Sequence, residues 1–99
     1  MESIIRDINL AESGQRKIDW VKGHMPLLNH FNEKYGPQQL FKGINMVVTI
    51  HLEAKTAYLA LTLKNCGANV TVTGSNPLST QDDVAAALVA NGIKVFATH

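Results

Sequence analysis

Cys66-Gly67-Ala68-Asn69-Val70 and Asn91-Gly92-Ile93-Lys94-Val95 repeat one design, the end of a helix, a glycine, and the start of a strand. The glycine stands where a helix C-terminus favours a residue that tolerates positive φ, and the β-branched residues after it favour extended backbone. Working outward, the Ala- and Leu-rich stretch Leu52 to Cys66 supplies the first helix, with Ala54, Ala57, Tyr58 and Leu61 on one side. Before it, Ile44 to Ile50 contains Met-Val-Val-Thr-Ile, a run apolar on both faces that reads as a buried, central strand. Val70 to Thr73 is the second strand. Ser79 or Thr80 is expected to cap the next helix, which runs through Ala90, because Ser79 with Asp82 and Thr80 with Asp83 have capping-box spacing. Ile93 to Ala97 forms the third strand. Strand-helix-strand-helix-strand with short connections implies right-handed crossovers and a parallel sheet sandwiched by helices.

Ahead of this unit, Ile18, Val21, Met25, Leu28, Phe31 and Tyr35 recur at spacings of three and four, one stripe of a helical segment. Pro26 lies inside the stripe, so a kink or restart is expected near Gly23 to Met25. Gly36-Pro37 stops the pattern, and the chain to Gly43 reads as a loop. The fold class is therefore α/β, an N-terminal helical segment followed by βαβαβ with a short parallel sheet.

Ninety-nine residues allow one modest core or half of a larger domain, and exclude two independent domains. A net charge of +1 with scattered Lys and Arg points to no nucleic acid and no membrane surface. Cys66 is the single cysteine, so no internal disulfide and no thiolate cluster forms; it reads as a buried apolar thiol. Met1 to Leu10 lacks the pattern of a secretory leader, and no apolar run approaches the roughly 18 residues that span a bilayer. Cytoplasmic is the expected location. With only three strands, two sheet edges stay open and one face is thinly covered, so the sequence reads as truncated or closed by another chain.

Ligands of open parallel sheets collect beyond the carboxyl ends of the strands. Two polar clusters fall there, Ile50-His51-Leu52-Glu53-Ala54-Lys55-Thr56-Ala57 and Gly74-Ser75-Asn76-Pro77-Leu78-Ser79-Thr80-Gln81-Asp82. His51 and Lys55 are four apart and are expected to share a helix face. At this point His51 reads either as hydrogen-bonded scaffold at a strand end or as a ligand or catalyst. The second cluster reads either as a turn plus helix cap or as a binding loop, and its surplus of donors and acceptors favours binding. His24, His30, His51 and His99 show no metal-ligand pairing, so no metal is expected. Neither a glycine-rich phosphate loop nor a Gly-x-Ser-x-Gly elbow occurs.

The two clusters in register resemble the substrate-binding domain of S-adenosylhomocysteine hydrolases, which typically read His-Met-Thr-x-Gln/Glu-Thr-Ala and, some twenty residues on, Asn-x-x-Ser-Thr-Gln-Asp. The counterparts here are His51 to Ala57 and Asn76 to Asp82, within a likeness from about Asp7 to Ala97. The resemblance implies that residues 1–99 are the N-terminal portion of a Rossmann-like substrate-binding domain, with the NAD-binding domain absent. It implies an NAD-dependent adenosylhomocysteinase of the methyl cycle in one-carbon metabolism, a homotetramer at full length, that reversibly hydrolyses S-adenosylhomocysteine to adenosine and homocysteine. In that chemistry NAD oxidises the ribose 3′ hydroxyl, the C4′ proton becomes acidic, the thiol is eliminated, water adds, and the ketone is reduced. His51 would serve beside the ribose 5′ carbon as an acid-base or positioning group. Thr56 and Asn76 to Asp82 would line the pocket, Ser79 and Gln81 through their side chains, Thr80 beside them, and Asp82 mainly as support. The fragment alone is expected to be inactive and to be able to self-associate through open sheet edges.

Glu53 and Lys55 replace the usual Thr and Gln/Glu of the first motif, as in the branch found in archaea and some thermophilic bacteria. Lysine only donates and ionised glutamate only accepts, so a Glu53 and Lys55 pair on the base edge would suit hypoxanthine, and the alternative substrate is S-inosylhomocysteine. Lys55 turned to solvent or paired with a carboxylate would leave the base to backbone groups. Two further readings stand beside the enzyme, a non-catalytic nucleoside-binding module and a structural α/β half-domain that assembles with copies of itself.

Overall fold

Apolar spacing, glycine punctuation and Pro26 divide the chain where the sequence indicates. The computed structural model describes residues 3, 5–74 and 80–96. A 3-10 turn at Ile8–Leu10 leads into α1 (Ala11–Lys22) and α2 (Pro26–Tyr35). Then β1 (Asn45–Ile50), α3 (Ala54–Asn65), β2 (Asn69–Gly74), α4 (Asp82–Ala90) and β3 (Lys94–Phe96) alternate. Pro26 starts α2, where its missing N–H would have had no helical partner, so the stripe restarts instead of bending. Gly67 carries φ +103°, and a Cβ there would meet the Lys42 backbone at 2.9 Å, so both conformation and contact demand glycine.

The strands pair in parallel in the order β1-β2-β3, with Val48 opposite Val72 and Val72 opposite Val95. Both crossovers step the same way across the sheet, so connections of the usual hand put α3 and α4 on one face. Burial agrees: Val70, Val72 and Val95 pack among Ala57, Tyr58, Val84 and Leu88, and α1 adds Ile18 and Val21 from outside those helices. On the other face Val47 is 68% exposed, and Lys94 and Phe96 are exposed. Side chains there bond across strands, Asn69 to Asn45 at 3.1 Å and Thr73 to Thr49 at 3.0 Å.

Two expectations are corrected here. Among the described residues helices cover one face of the sheet, not both, because both crossovers run in one direction. The run Ile44 to Ile50 is also an edge strand, and β2 is the central one; two-sided hydrophobicity marked burial that Val47 does not have. The outer edge of β3 is partly covered as well, since the Ser3 hydroxyl accepts a hydrogen bond from the Val95 amide at 3.0 Å. Ala97, expected to end the third strand, lies outside the described residues.

Candidate functional site

The first cluster begins as β1 ends. His51 is exposed and precedes α3, whose first residue is Ala54, so His51 and Lys55 do not share a helix face as their spacing suggested. The reason lies in Leu52, 1% exposed, which turns into the core and breaks the helical path between them. The helix starts where Glu53 and Thr56 cap each other reciprocally. The Thr56 hydroxyl accepts from the Glu53 amide at 3.0 Å and lies 2.7 Å from the His51 carbonyl, to which it donates. Thr56 thus holds the backbone on both sides of Leu52. Lys55 is exposed on the first turn of α3.

In the second cluster Thr80 is 3% exposed and Gln81 half-buried. The Gln81 amide donates to the Leu52 carbonyl at 3.0 Å, which ties the two clusters together at the carboxyl ends of β1 and β2. Asp82 opens α4 and pairs with Arg6 at 3.1 Å. The N-cap of α4 is Gln81, in extended backbone, rather than the expected Ser79 or Thr80. A first-turn amide finds a different acceptor, since Val84 N–H donates to the Asp83 carboxylate at 2.9 Å. Asn76 and Ser79 lie outside the described residues.

Asp83 was legible only as half of a capping box, and its role is larger. Its carboxylate accepts from the Ser13 hydroxyl at 2.7 Å and from Lys17 at 2.8 Å, both on α1. Burial pushes its pKa up, but the hydrogen bonds from Lys17 and Ser13, the Lys17 charge and the Val84 amide outweigh that, and the net direction is down. The available signal was Ser13 and Lys17 four apart on α1, one face able to meet an acidic helix start.

Two concavities border these residues. Gln81 and Ala54 line a shallow cleft of about 500 Å³ with Ser13, Lys17 and Trp20 of α1. Lys55 and Thr56 lie on a more apolar groove of about 620 Å³ formed with Met25, Pro26, Leu28 and Phe31 of α2. A third depression, among Asn45, Asn69, Lys64 and Lys94, sits at the opposite, amino ends of the strands. Both helix starts beside the site are acidic, Glu53 on α3 and Asp82 with Asp83 on α4. A pyrophosphate would meet carboxylates there instead of open amides, and the turn His51-Leu52-Glu53 has no glycine. The described residues therefore do not fit a dinucleotide such as NAD. Among them no three His, Cys, Asp or Glu residues gather as a metal site, and no helix is long and apolar enough to cross a membrane.

Fold and strand-end residues together define a parallel, Rossmann-like α/β unit in which two polar clusters meet at the carboxyl ends of β1 and β2. The chain belongs to the S-adenosyl-L-homocysteine hydrolase family, whose model matches residues 2–99. It is 54% identical to an adenosylhomocysteinase of Thermococcus kodakarensis over 93 residues, which cover 94% of this chain and 22% of that protein. Against an S-inosyl-L-homocysteine hydrolase of Methanocaldococcus jannaschii it is 55% identical, with 94% and 22% covered. Against an adenosylhomocysteinase of Thermotoga maritima it is 56% identical, with 88% and 22% covered. The chain thus spans 22% of the length of these relatives.

Proposed function

We propose that this chain is the N-terminal portion of the substrate-binding domain of an NAD-dependent adenosylhomocysteinase, which hydrolyses S-adenosylhomocysteine reversibly to adenosine and homocysteine. The observation that carries the reading is the hydrogen bond from the Gln81 amide to the Leu52 carbonyl, which joins the two motif clusters at the ligand end of the sheet. The acidic helix starts add support, because a nucleoside thioether carries no phosphate to be repelled.

In this reading His51, exposed at the end of β1, handles a proton or holds the substrate beside the ribose 5′ carbon and leaving sulfur. Thr56, Asn76, Ser79, Thr80 and Gln81 line the pocket, and Asp82 anchors the loop through Arg6. NAD supplies the hydride acceptor from a domain outside these residues, so the 99 residues alone turn over no substrate. The full-length enzyme works as a cytoplasmic homotetramer in the methyl cycle. The test is release of homocysteine by the full-length protein, with His51→Ala as the control.

The second reading, S-inosylhomocysteine as substrate, is favoured by one observation. Lys55 is exposed on the first turn of α3 next to Glu53, where the pair presents one donor and one acceptor. Relatives named for adenosyl and for inosyl substrates match this chain at 54% and 55% identity, so the likeness does not separate them. Comparing turnover of the two substrates before and after Lys55→Gln separates them: a shift toward the adenosyl substrate supports base reading by Lys55. A strong adenosyl preference unchanged by the substitution removes it.

A further inference from the structure

We propose that Asp83, locked to Ser13, Gly14 and Lys17 of α1, is a positioning residue that sets where Thr80 and Gln81 meet the ligand. This rests on the functional reading above and adds to it a determinant outside the pocket motifs.

Gly14 has no side chain, and a Cβ in its place would overlap the Asp83 carbonyl and lie 2.8 Å from Val84 Cα. The backbone of α1 therefore touches the first turn of α4 directly. Across that contact one carboxylate oxygen of Asp83 takes the Ser13 hydroxyl at 2.7 Å and the Lys17 ammonium at 2.8 Å. The other oxygen takes the Val84 amide at 2.9 Å, so Asp83 grips both its own helix and α1. Its side chain is 14% exposed, which limits competition from water.

What this lock holds lies immediately before it. Gln81 is the residue before α4, and its carbonyl accepts the first helical hydrogen bond, from the Ala85 amide at 3.0 Å. Its amide reaches the Leu52 carbonyl, one residue after His51. A roll of α4 against α1 therefore displaces Gln81 and strains the backbone hydrogen bond that links the two clusters. Because Asp83 spends its carboxylate on Ser13, Lys17 and Val84, its loss weakens ligand placement more than it alters the chemical step.

The test compares Asp83→Ala, Asp83→Asn and a control, Ile93→Val, in the full-length enzyme. Ile93 packs at the far end of α4, so its variant lowers stability without touching the lock. Two readouts are taken: steady-state kinetics, and amide hydrogen exchange at Gln81. Asp83→Ala is expected to raise KM about tenfold with kcat within about twofold, and to speed exchange at Gln81. Asp83→Asn, which keeps an oxygen for the Val84 amide but turns a donating NH2 toward Ser13 and loses the Lys17 ion pair, is expected to fall between Asp83→Ala and wild type. Ile93→Val is expected to leave both readouts unchanged. The proposal is overturned if Asp83→Ala lowers thermal stability while KM and Gln81 exchange stay at wild-type values, or if Ile93→Val shifts both equally. Wild-type enzyme inactive on adenosyl and inosyl substrates would overturn the functional reading instead, and Gln81 exchange would still decide the lock.

Discussion

Thr56 shows how much one hydroxyl can organise. By accepting from Glu53 and donating to His51 it replaces two bonds that the interrupted backbone around Leu52 cannot make for itself. Thr56→Val keeps the shape and removes both, and is expected to destabilise the protein by about 1 kcal/mol, read as a lower denaturant midpoint with an unchanged slope. Asp83 gives a prediction in pH. Its folded pKa is held below its unfolded value of about 3.9, so its contribution to stability is complete well above that value. The contribution is lost as pH falls through the lower, folded value. Asp83→Asn should therefore flatten the acid side of the stability curve below about pH 4, measured by denaturation at a series of pH values. Cys66 is fully buried and burial pushes its thiol pKa up, so a thiol reagent should react with it only at the rate at which the protein opens.

At the scale of elements, the glycines carry the clearest message from sequence to fold. Gly67 and Gly92 end α3 and α4 at φ +103° and +87°, as their place before β-branched runs indicated. Gly67→Ala combines an unfavourable φ with a close approach to the Lys42 backbone, and is expected to cost about 1–3 kcal/mol by thermal denaturation. The helix restart at Pro26 was equally legible, because proline acts on its own backbone neighbours. What local pattern did not carry was anything that depends on which face a helix covers. Met-Val-Val-Thr-Ile looks buried on both sides, yet Val47 faces outward, since the crossover direction and not the strand's own composition decides where helices land. The start of α4 was misjudged for a similar reason. A capping-box spacing at Ser79 and Thr80 competed with a long-range acceptor, the Leu52 carbonyl, that claims Gln81.

For the whole molecule, the sheet with one open face and the strand-end site belong together. The described residues bring the backbones of Leu52 and Gln81 into contact and leave His51 and Lys55 exposed. The two motifs were legible in the sequence as a pair, because each sits one step past a strand. Their support was not, since Asp83 reaches Ser13 across 70 positions and no short window contains both. The 99 residues alone carry no dinucleotide loop, and NAD-dependent release of homocysteine by this isolated segment is expected to be undetectable. The most direct test of the proposed function is homocysteine release from S-adenosylhomocysteine and S-inosylhomocysteine by the full-length, NAD-loaded protein, wild type beside His51→Ala. The expected result is turnover of at least one substrate that falls about a hundredfold or more with His51→Ala. No release from either substrate, or turnover indifferent to His51→Ala, would contradict it.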